Sequence, residues 1–71
     1  MPSDIQAIYF RTTDGWTAAT ARAWLRAHEF KPIKRMHHLG TELRYRLRDP
    51  RQFRRFITKK EAGVYYVIGF Y

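Results

Sequence analysis

The chain has 71 residues, with 14 Lys and Arg against 6 Asp and Glu, a net charge of +8 and a pI near 10.5. That length makes one small domain, residues 1–71, and its two Trp, five Phe and five Tyr are too many for a disordered tail. The absence of Cys excludes disulfides and Cys-ligated zinc and suits a reducing cytoplasm; no apolar run approaches the ~18 residues of a membrane span, so a soluble chain without membrane insertion is expected.

The first element is "DIQAIYFR", Asp4 to Arg11, which alternates weakly, is rich in Ile, Tyr and Phe, and reads as a strand. "TTDG" is a turn. A helix is predicted from about Thr17 to Glu29. Thr17 is a good N-cap, Trp16 can staple onto Ala21, and Ala21, Trp24, Leu25 and His28 recur at helical spacing. Trp24 should be core, between helix and sheet. Arg22 and Arg26 fall off that stripe, toward water. Lys31 before Pro32 is biased away from helical angles and closes the segment.

"IKRMHHLG" and "TELRYRLR" read as two strands around a turn near Gly40. In the second, Leu43, Tyr45 and Leu47 point one way and Arg44, Arg46 and Arg48 the other. Pro50 breaks the strand. The segment 50–58 supports two readings. Asp49, Pro50 and Gln52 resemble a helix start, yet "RFITKKEAGVYYVIGFY" reads as a hairpin turning at Gly63. Val64 to Tyr71 carries the strongest strand pattern in the chain. The predicted fold class is α+β: a small antiparallel sheet of four to five strands, packed on one face by a single helix.

The inventory for catalysis is poor. The only Ser is Ser3, no Gly-rich phosphate loop is present, and Asp4, Asp14, Glu29, Glu42, Asp49 and Glu61 are scattered. No catalytic residue is assigned and a non-enzyme is expected. His37 and His38 are adjacent on a strand and point to opposite faces, and with His28 they make no metal-ligand spacing. No metal and no cofactor are expected.

The charge is concentrated in Arg44 to Lys60, where eight basic residues face one acid, Asp49. If the helix covers the Leu43, Tyr45 and Leu47 face, the arginines lie on the open face. There they join Tyr9 and Arg11, and Tyr65, Val67, Gly69 and Tyr71 of the last strand. Arg binds phosphate and stacks on bases, and exposed Tyr adds ring faces. The candidate nucleic-acid-binding set is Arg11, Arg44, Arg46, Arg48, Arg54, Arg55, Lys59, Lys60, Tyr9 and Tyr65. Two alternatives stand beside it. One is an ordinary solvated face on which Tyr rings cover Arg stems. The other is a protein-interaction module that meets an acidic protein surface.

The order "WT..ARAWLRAH.FKP.K......LRYR.RDP..F..F.T......VYYVIGF" resembles a small domain of tailed bacteriophages. That domain occurs free-standing, or beside or fused to head-maturation protease and portal genes. The resemblance spans nearly the whole chain and is sharpest at Trp16-Thr17, Ala23-Trp24-Leu25, His28, Phe30-Lys31, Leu43-Arg44-Tyr45-Arg46 and Val67-Ile68-Gly69-Phe70. It implies a phage or prophage source, the hairpin reading of the ambiguous segment, and a place in the host cytoplasm during infection or with the virion. It carries no catalytic residues, because those of the fused proteases lie outside this domain. The inhibitor of an acidic host surface and the head-assembly module are the partner-binding roles it leaves open. Related sequences commonly have Gly after His28, where this chain has Glu29, so a looser helix end is expected here.

Overall fold

A computed structural model describes residues 2–71. Five strands form one antiparallel sheet: β1 (Ser3–Arg11), β2 (His37–Leu39), β3 (Glu42–Arg46), β4 (Arg55–Glu61) and β5 (Val64–Phe70), in the order β2-β3-β1-β5-β4. A single α-helix, α1 (Ala18–Ala27), packs on one face. The α+β class read from the sequence is the architecture observed.

Local chemistry explains most of the boundaries. Thr17 caps α1 in a reciprocal box: its hydroxyl accepts from the Thr20 N–H at 3.2 Å, and the Thr20 hydroxyl accepts from the Thr17 N–H at 2.9 Å. Trp16, just outside the cap, packs on Phe10 and donates its indole N–H to the Gly63 carbonyl at 3.1 Å. The helix start is thereby tied to the β4–β5 turn.

The other end of α1 is a Schellman closure, not a loose end. The Phe30 N–H reaches the Leu25 carbonyl at 2.9 Å and the Glu29 N–H reaches Arg26 at 3.1 Å. Glu29 holds the left-handed position with φ of 61°. His28 Nδ1–H donates to the Trp24 carbonyl at 2.8 Å, and its ring stacks on Trp24.

The main core lies between α1 and the three central strands. Ile8 and Phe10 of β1, Leu43 and Tyr45 of β3, and Val64 of β5 meet Ala21 and Leu25 of α1. Trp24 is not buried between helix and sheet as its spacing predicts. It is half-buried at the rim, edge-on to Phe10 and Tyr66 and stacked with Phe30. The helix stripe is narrow, and the small Ala21 lets Leu25 take the centre.

Two strand readings need correction. β2 is only three residues long; Ile33 touches the sheet through one bond, its N–H to the Arg46 carbonyl at 2.8 Å. β3 stops at Arg46, not Arg48, because the chain departs to meet Gln6. The Gln6 carbonyl accepts from both Leu47 and Arg48 N–H, and its side-chain amide donates to the Arg48 carbonyl. Gln6 is the extra residue of a β-bulge: Ile5 pairs with Ile68 while Ala7 pairs with Val67. The bulge puts Ile5, Ile8 and Phe10 on the helix side, with Ala7 and Tyr9 on the other.

The ambiguous segment contains both motifs in miniature. Pro50–Gln52 make one 3-10 turn capped by Asp49, whose carboxylate accepts from the Arg51 N–H. Arg55 then opens the β4–β5 hairpin, which closes through the two-residue loop Ala62-Gly63 with φ of 52° and 77°. Positive φ at both positions is the twist a tight hairpin requires.

Between the turn and β4, Phe53 crosses onto the face opposite α1 and lies on Gly69. A methyl built at Gly69 falls inside the van der Waals surface of the Phe53 ring. Phe53 also packs edge-on to Phe56 and tilted against Tyr71.

Two stability outcomes follow. Glu29→Gly should raise the urea midpoint by about 1 kcal/mol of stability, since it removes left-handed strain and an acid at a helix C-terminus. Gly69→Ala should cost about 1–3 kcal/mol by overpacking. In a double-mutant cycle with Phe53→Ala most of that cost should vanish, because the clash has a single partner.

Candidate nucleic-acid interface

Strand pairing sorts the predicted site residues by face. On the open face, one register row runs His37–Arg44–Tyr9–Tyr65–Lys60 across all five strands. Arg46 sits beside Ala7, and Arg11 follows Tyr9 by two. Arg11, Arg44, Arg46, Lys60, Tyr9 and Tyr65 therefore share one surface.

Register puts two of the ten on the other face, and two more lie outside the strands. Arg55 pairs with Phe70 and Lys59 with Tyr66, which puts both on the helix side of the edge strand. This follows from the two-residue alternation of β4. Arg55 lies over the Phe70 ring at 5.1 Å. Arg54 is exposed at the bend before β4, its N–H spent on the Phe70 carbonyl at 2.7 Å. Arg48, beyond the end of β3, meets Asp4 at 3.6 Å.

The tyrosines form a cross-strand ladder. The Tyr9 and Tyr65 rings are parallel within 6°, with centroids 4.7 Å apart. Cations flank the pair: Arg44 is 5.1 Å from the Tyr9 centroid, and Arg11 and Lys60 are 4.9 and 5.3 Å from that of Tyr65. Tyr9 is 8% exposed, so it offers no ring face to a base. The stacking partner each ring was expected to find in a base is here another ring or a cation, worth about 0.5–1 kcal/mol apiece at exposed sites. What the ladder presents outward is its cations.

Ion pairs trim that charge. Arg44 Nε lies 3.0 Å from Glu42, and Arg48 is engaged by Asp4. Among the described residues, the other six predicted cations make no ion pair: Arg11, Arg46, Arg54, Arg55, Lys59 and Lys60. Arg51, outside the predicted set, holds Asp49 at 2.8 Å, and its hydrogen bonds lower that carboxyl from 3.8 to about 2. The Tyr71 hydroxyl is pushed up by donating to Asp4 at 2.7 Å.

The histidines have separate local duties. His28 closes the helix, His38 Nε2–H donates to the Gly40 carbonyl at 2.8 Å, and His37 lies on the open face next to Arg44. Among the described residues, no three His, Asp or Glu side chains gather where a metal ion would be held. No helix among them is long and apolar enough to cross a membrane. Comparison of the chain with protein-family models, with curated proteins and with solved structures finds no match.

The Asp49–Arg51 pair has a direct readout. Carboxyl-carbon NMR should place the Asp49 midpoint near 2, and Arg51→Ala should return it toward 3.8. Its folded-state pKa is depressed. Its contribution to stability is therefore fully present above the unfolded carboxyl range and lost as pH falls through about 2.

Proposed function

We propose that this chain is a non-enzymatic phage accessory domain that binds nucleic acid through the cations of its open sheet face. The observation that carries the reading is the placement of Arg11, Arg46 and Lys60 around the Tyr9–Tyr65 ladder, on one surface, without ion-pair partners. Arg11 and Lys60 are both held by the Tyr65 ring, so less side-chain entropy is lost on meeting a phosphate. The chain's net charge of +8 adds long-range attraction. The resemblance to the phage domain supports the source and the accessory role.

Because Tyr9 is buried and cations lie over both rings, contact is led by phosphate. Sequence preference should be weak and salt dependence strong. The relevant measurement is affinity for a short single strand across a salt series. About four to six phosphate contacts give a log–log slope of about −3 to −4. Arg46→Gln should make that slope shallower by about 0.7 and weaken all sequences alike. Tyr65→Ala should instead lower the melting temperature, since it dismantles the ladder, and leave the slope unchanged. Binding no tighter than that of a scrambled peptide of equal charge would remove nucleic acid as the partner and leave an acidic protein surface in its place.

A further inference from the structure

On the helix side of the sheet, α1 does not reach the β2 edge. Between α1 and the segment 30–36 lies an open trough of about 760 Å³. Its apolar floor is the half-buried Phe30, Pro32 and Met36, set over the buried Leu25 and Tyr45. Its walls are cationic on both sides. Arg22 and Arg26 stand on α1, about 6 Å apart along the axis at four-residue spacing. Lys31, Lys34 and Arg35 face them from the segment after the helix.

No carboxylate lines this trough. All five cations are exposed, and among the described residues none is in an ion pair. Asp49, which lines a separate hollow with Lys34, is already held by Arg51. Five like charges around an apolar floor oppose one another, and a partner of opposite charge relieves that repulsion.

The shape and chemistry select the occupant. A single small anion needs convergent donors, whereas these are divided between two walls. A nucleic-acid base needs a free ring face, but Tyr45 is buried and Phe30 is half-buried with one face on Trp24. Met accepts apolar side chains of varied shape. Apolar side chains in the floor with carboxylates toward both walls describe one object, a helix whose apolar stripe is flanked by acids. We propose that the trough between α1 and residues 30–36 is a docking site for an acidic amphipathic helix of a protein partner. The trough floor lies on the face opposite the tyrosine ladder, and its Lys34 and Arg35 wall meets Arg46 at the β2 edge.

The test uses the whole chain and two labelled synthetic peptides of about 14 residues, roughly 21 Å of helix. One carries Leu at i, i+3, i+4 and i+7 with Glu on both flanks. The other has the same composition, shuffled so that no stripe forms. Fluorescence anisotropy should show the striped peptide binding at least about tenfold tighter than the shuffled one at about 0.15 M salt. Arg26→Glu combined with Lys34→Glu should weaken the striped peptide at least about tenfold, while Arg54→Gln beside the far edge strand β4 leaves it unchanged. In amide NMR of the unmodified chain, shifts should centre on Leu25, Met36 and Tyr45, a readout that needs no variant to fold. Equal binding of the two peptides would overturn the proposal by reducing it to bulk charge. So would shifts centred on the ladder, or displacement of the striped peptide by a short single strand at equal charge.

Discussion

One short helix has to serve a sheet wider than itself, and most features of this protein follow from that mismatch. The outer strand axes of five strands lie about 19 Å apart, whereas a helix with its side chains is about 10–12 Å across. α1 therefore closes over β3, β1 and β5 and leaves both outer strands bare; every residue of β2 and of β4 is exposed. The edge strand β4 carries Arg55, Lys59 and Lys60, charges that discourage pairing with another chain. On the β2 side the shortfall becomes the cation-walled trough beside α1.

The opposite face has no helix and is closed by its own side chains. At one end the Tyr9–Tyr65 ladder is braced by Arg11, Arg44 and Lys60. At the other, Phe53 folds back over Gly69 and gathers Phe56 and Tyr71. Ala7 and Val67 between them are buried without any second layer. The result is a surface whose centre is aromatic and aliphatic and whose periphery is basic. It suits a polyanion held at several points more than a base stacked on an open ring. The solvated-face alternative and the binding face share this geometry, since the same Tyr rings that cover Arg stems also hold the guanidinium groups in place.

Much of the plan was legible in the chain. The Thr17 cap, the Ala21 and Leu25 stripe, the glycine turns and the alternation of β5 are local signals, and each lies where the pattern put it. The weak alternation of β1 was a signal too. Its apolar phase changes between Ile5 and Ile8, which is the mark a bulge at Gln6 leaves in a sequence. The faces of Arg55 and Lys59 were readable from the parity of β4 once Lys60 was placed opposite Tyr65.

Residue order by itself left helix and hairpin both open over 50–58, but it determined the class of fold, the helix and its cap, and the sharing of one face by Tyr9, Arg11, Arg44, Arg46 and Tyr65. These depend on periodicity and on contacts a few residues apart, which the chain encodes directly. Only the tertiary structure decided that the tyrosine faces are spent on each other, that Phe53 occupies the space Gly69 leaves open, and that Trp24 sits at the rim. It also decided which cations remain unpaired. Each of these depends on distances between residues far apart in sequence, such as Gln6 to Arg48 or Trp16 to Gly63, and such distances exist only after the sheet has set its register.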